Sequence, residues 1–112
     1  MSKLELIRSI GCVLRQLDLL GEKPASDETT GRILKELRTT LANQQLELAI
    51  KQIEPDSAIL GKAMATLAAL EVELSHAMTD TAKESVLLEA LPRAVKAIAE
   101  LFESDRYYER GR

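Results

Sequence analysis

Three groupings of side chains have types and spacings that chemistry could use. Glu73 and His76 stand three apart in LEVELSHAM. On a helix that spacing turns a carboxylate and an imidazole to one side, as in the Glu-x-x-His pairs of di-iron helical bundles. Such a centre takes a second pair and two more glutamates, and His76 is the one histidine of the sequence. A single chain therefore cannot assemble it, and no metal ligand is assigned. Cys12 has Arg8 and Arg15 about one helical turn to either side, and two nearby cations favour the thiolate. A nucleophile also takes a base and an oxyanion cradle, which no neighbour of Cys12 in the sequence supplies. A passive thiol, buried or half-buried, is expected. Glu71 and Glu73 are two apart, so on a helix they diverge and cannot share a reacting bond.

The glycines at 11, 21, 31, 61 and 111 are isolated, which leaves no Gly-rich loop to cradle a phosphate. The sequence thus predicts no enzyme: no catalytic residue, cofactor-binding residue or cofactor is assigned.

The elements that carry these residues belong to one domain. A chain of 112 residues is long enough to bury a core without staples. With 46% hydrophobic and 29% charged residues it has a globular composition, but aromatics are only 3% and tryptophan is absent, so the core must be aliphatic. A net charge of −3 gives no electrostatic case for wrapping nucleic acid or coating an anionic membrane. One cysteine excludes an intramolecular disulfide. The stretch MSKLELIRSIGCVLRQLDLL is interrupted by Glu5, Arg8, Arg15, Gln16 and Asp18, so it reads as neither signal peptide nor membrane span, and a cytoplasmic location is expected.

Hydrophobic periodicity predicts four helices. Ser2 and Glu5 have capping-box spacing, and Leu6, Ile7, Ile10, Val13, Leu14, Leu17 and Leu20 follow in one broad apolar stripe at steps of three and four. Gly21 is expected to end this helix in a left-handed conformation, with a new start near Ser26 or Asp27. The second helix carries Ile33, Leu34, Leu37 and Leu41 on one side. Leu46, Ile50 and Ile53 call for nearly the opposite side. A compact monomer would then bend or break within about three residues of Asn43, whereas an unbroken helix would leave the second stripe for a partner. Pro55 to Ser57 restart the chain into a third helix ending near Met78. Thr81 and Glu84 repeat the capping-box spacing before a fourth helix that contains Pro92. Its stripe, Leu87, Leu91, Val95, Ile98 and Phe102, keeps phase across the proline, which predicts one helix kinked there. The fold expected is an all-α, up-down antiparallel bundle of four, or at most five, helices over residues 1–104. SDRYYERGR reads as a flexible C-terminal tail, 105–112.

The third helix carries a surplus. Met64, Leu67, Leu70, Leu74 and Met78 make one core-facing stripe, yet the other side shows Gly61, Ala65, Ala68, Ala69 and Val72 where charge would be ordinary. Leu4 and Leu19 extend such a surface on the first helix. These five residues, with Leu46, Ile50 and Ile53, are the candidate partner interface. The functional expectation is a non-enzymatic protein–protein interaction module, such as a regulator, adaptor, chaperone-like binder or inhibitor. It would bind another protein or itself, a homodimer being the first expectation, and would not engage a membrane. The alternative is a small helical dimer that binds RNA or DNA through Arg8, Arg15, Arg106, Arg110 and Arg112.

Overall fold

A computed structural model describes residues 2–23, 27–53 and 55–110, with side chains to residue 104. Among them run four helices: α1 (Lys3–Gly21), α2 (Glu28–Ile50), α3 (Ser57–Thr79) and α4 (Glu84–Arg110). A single 3-10 turn, Thr81–Lys83, precedes α4. No described residue is in a strand. The protein is an all-α helical bundle.

The helix starts follow local chemistry. Ser2 caps α1, its Oγ accepting from the Glu5 amide at 3.2 Å. Asp27 caps α2 by accepting from the Thr30 amide at 2.7 Å. Asp56 caps α3 by accepting from the Ala58 and Ile59 amides. Each side-chain oxygen satisfies amides that have no partner within the helix. The ends depart from expectation. Gly21 is not left-handed, since no described residue has a positive φ. α1 closes instead through amides of Glu22 and Lys23 donating to the Leu19 and Leu20 carbonyls, a 3-10-like tightening that needs no special backbone. The Thr81–Glu84 capping box does not form either. Thr81 is the first residue of the 3-10 turn rather than a cap, and Asp80 takes the capping role by accepting from the Ala82 amide at 3.1 Å.

Helix α1 packs against α2 and α3, and α4 packs against α2 and α3, while the backbones of α1 and α4, and those of α2 and α3, stay apart across the core. Consecutive helices alternate in direction. The link from α2 to α3 crosses the end of the bundle diagonally, so α1 and α3 run parallel as neighbours, as do α2 and α4. Polar ties fix these registers. Arg38 grips Asp18 through Nε and Nη2, at 2.9 and 3.0 Å, across the antiparallel α1–α2 seam. Lys62 meets Glu100 at 3.1 Å across the antiparallel α3–α4 seam. The Lys23 ammonium donates to the Met78 carbonyl at the parallel end of α3. Lys3 donates to the Lys51 carbonyl at 2.9 Å, just past the C-terminus of α2. Both lysines sit at helix C-termini, where the dipole favours a cation.

The core is aliphatic. Leu6, Ile10 and Val13 of α1 meet Leu41 and Leu48 of α2, Leu67, Leu70 and Leu74 of α3, and Leu87, Leu91 and Ile98 of α4, all essentially fully buried. α4 passes unbroken through Pro92, as the constant phase of its stripe implies. It also runs on to Arg110, into the stretch expected to be a tail; Gly111 and Arg112 lie outside the described residues.

Helix α2 is unbroken at Asn43, and the reason is on either side of it. Gln44 Nε2 donates to the Val95 carbonyl of α4 at 2.9 Å, and Gln45 Nε2 donates to the Ile7 carbonyl of α1 at 3.1 Å. One glutamine serves each neighbour. The polar run thus straps α2 into the bundle where the sequence pattern suggests a boundary. Gly11 permits the second strap, because a Cβ there would stand 3.2 Å from Gln45 Nε2.

Candidate functional site

The surplus face of α3 stays open. Ala65, Ala68, Ala69 and Val72 are exposed, Val72 by 53%, and Gly61 is half-buried. Leu60, Ala63, Leu67, Leu70, Leu74 and Ala77 already supply the helix's buried stripe. With α1 and α4 as its neighbours, α3 is not the central helix of its own bundle, and nothing in the described chain covers its small-residue side.

Helix α1 continues that surface. Leu4, Arg8, Cys12, Arg15 and Leu19 are all exposed, and steps of three and four place them on one outward face. Because α1 packs beside α3, the two outward faces adjoin. Cys12 belongs to this exposed face rather than to the buried or half-buried setting expected of it. Its phase explains the difference, lying opposite the Leu6, Ile10, Val13 and Leu17 stripe.

The remaining candidates divide. Leu46 and Ile50 are exposed by 60% and 69%, one turn apart on the outer side of α2. They cannot share a flat contact with the α3 face, because α2 and α3 occupy diagonal corners. Ile53 is buried, with 6% exposure, which removes it from the interface. It lies beyond the end of α2, so helical phase no longer governs it, and the chain folds its side chain into the core on the way to α3.

The chemical groupings stay apart. His76 Nδ1 lies 4.0 Å from Glu73 Oε2 on the surface of α3, and no cluster of three or more potential metal ligands occurs among the described residues. Cys12 and His76 lie on different helices, and no hydrogen bond joins them to couple thiol and base. Arg8 and Arg15 are exposed; the side chains of Arg106 and Arg110, and all of Arg112, lie outside the described residues.

A feature that sequence reading missed lies near one end of the bundle. A pocket of about 430 Å³ opens among the C-terminal turn of α1, the first half of α2 and the start of α4. Leu17, Leu20 and Leu34 give it an apolar floor, with Gly21 and Gly31 in its wall. A Cβ added at Gly21 would meet nothing within 4 Å, so that wall is open. Lys23, Arg32, Lys35 and Arg38 surround it with cations, and Glu28 and Glu84 contribute carboxylates. Arg38 is held by Asp18 and Lys23 by Met78. Glu84 is 4% exposed. The only sequence signal for it was the Glu of the capping box, a role it does not take.

No family model, curated protein or solved structure matches this chain. No described helix is long and apolar enough to cross a membrane.

Proposed function

We propose that this protein is a non-enzymatic interaction module that pairs through the small-residue face of α3, and that the occupant of that face is a second copy of the chain. The observation that carries the reading is the exposure of Ala65, Ala68, Ala69 and Val72 on a helix whose core stripe is already complete. Small side chains let helix axes approach closely. A single helix face can be applied to itself about a two-fold axis, the commonest symmetry of soluble oligomers. Leu4 and Leu19 border the contact from α1. Leu46 and Ile50 on α2 form a separate, smaller patch that this contact leaves free.

Static light scattering across a concentration series tests the pairing. The wild type should weigh as a dimer and Ala68→Glu as a folded monomer with unchanged helicity. A wild type that stays monomeric at high concentration overturns the proposal. The affinity should depend little on salt, because apolar burial drives it. A steep loss with salt would instead favour phosphate contacts and the nucleic-acid alternative.

A further inference from the structure

We propose that the pocket between α1, α2 and the start of α4 binds a small zwitterion: its ammonium group on Glu84, its apolar body on Leu17, Leu20 and Leu34, and its anionic end at Arg32 and Lys35. The inference rests on Glu84. Its side chain lines the pocket, it is 4% exposed, and no described residue gives it a hydrogen bond or an ion pair. Its oxygens are not sealed from solvent, so the pocket is their route to water and the route by which a ligand's ammonium group reaches them. The dipole at the start of α4 favours an acid at that position, but it does not require the side chain to be buried against a cavity.

The surroundings set the ligand's other end. Arg32 and Lys35 are exposed at the pocket's edge, whereas Glu84 is buried, so the acceptor is deep and the cations are shallow. Between them the floor is leucine. A molecule with a cation at one end, a short hydrocarbon stretch and an anion at the other satisfies all three regions. The volume of about 430 Å³ falls in the range of small-molecule sites.

Three probes that share a six-carbon chain separate the contributions: 6-aminohexanoate, hexylamine and hexanoate. Each is titrated into the full ¹⁵N-labelled chain through about 10 mM, a range suited to weak millimolar binding. The zwitterion should shift amides within 17–23 and 28–38 and bind more tightly than either half-probe. Glu84→Gln should weaken it by about tenfold, as loss of a charge-assisted hydrogen bond implies. Arg32→Ala with Lys35→Ala should weaken the zwitterion and leave hexylamine unchanged. Absence of shifts, equal binding of hexanoate, or binding that survives Glu84→Gln overturns the proposal. Tighter hexylamine binding by the double variant also overturns it, because it would mean that Arg32 or Lys35 itself turns inward to pair with Glu84. If Glu84→Gln fails to fold, the double variant decides alone, since both its positions are exposed.

Discussion

Gln44 and Gln45 make similar bonds and should respond oppositely to the same substitution. Each donates from Nε2 to a carbonyl of a neighbouring helix, at 2.9 Å to Val95 and 3.1 Å to Ile7. Those carbonyls lie within helices and keep their own i→i+4 amides when the glutamine is removed. The loss on either side is therefore only the net worth of one hydrogen bond, about 0.5–1.5 kcal/mol. The other half of each amide differs. Gln44 Oε1 is buried without a partner among the described residues, whereas Gln45 Oε1 is not so trapped. Gln44→Leu removes that orphan acceptor, recovering about 1–3 kcal/mol, and places apolar atoms where they are buried. Its net effect should be neutral to stabilising, by up to about 1 kcal/mol. Gln45→Leu has no such gain. It loses the bond to the Ile7 carbonyl and removes no orphan acceptor, so it should cost about 1 kcal/mol. Urea melts with an unchanged m-value would read both. A Gln44→Leu that loses more than about 1 kcal/mol, with Gln45→Leu neutral, would refute this account of the straps.

The phase of the helices is tested by a second pair: Leu67→Ala, at a buried site, should cost about 2–5 kcal/mol, while Leu46→Ala, on the outer side of α2, should stay within about 0.5 kcal/mol in the same melts. Pro92→Ala should stabilise α4 by about 1–3 kcal/mol, since the Leu88 carbonyl regains a donor; a loss would mean that the proline's geometry is needed for packing. The Asp27 carboxylate is held below the ordinary aspartate value of 3.8, chiefly by the Thr30 backbone amide and then by the Thr30 hydroxyl. Because its folded pKa is lowered, its contribution is present above 3.8 and is lost as pH falls through the lower folded value. Asp27→Asn should flatten the acid limb of a stability-versus-pH curve there, and an unchanged limb would contradict the cap. Amide exchange should find Asn43, Gln44 and Gln45 as well protected as the turns around them, and weak protection confined to those three would restore the break.

Much of this was legible in the sequence because stripes at helical spacing report burial directly. Leu67, Leu70 and Leu74 are core because their phase says so, and Ala68 and Val72 are exposed for the same reason. Two elements were misread because the same pattern has two causes. A polar run inside an apolar helix can end it, or can reach sideways to neighbouring backbones, and Gln44 and Gln45 do the latter. Ile53 looks like a continuation of Leu46 and Ile50 only if the helix continues, and α2 ends at Ile50. The neighbour relations were beyond periodicity, since the diagonal link that sets α1 beside α3 leaves no mark in residue spacing. The pocket was hidden for that reason: Leu17, Leu34 and Glu84 meet only once the ring order of the helices is known.

The central claim, that the small-residue face of α3 pairs with a second copy, is tested most directly by an isotope-filtered NOE experiment. An equal mixture of ¹³C-labelled and unlabelled chain is used, so that signals between copies are seen alone. The account predicts cross-peaks between copies at the methyls of Ala65, Ala68, Ala69 and Val72, with Leu4 and Leu19 at the margin. Cross-peaks confined to Leu46 and Ile50, or none at a concentration where the chain should be dimeric, would contradict it.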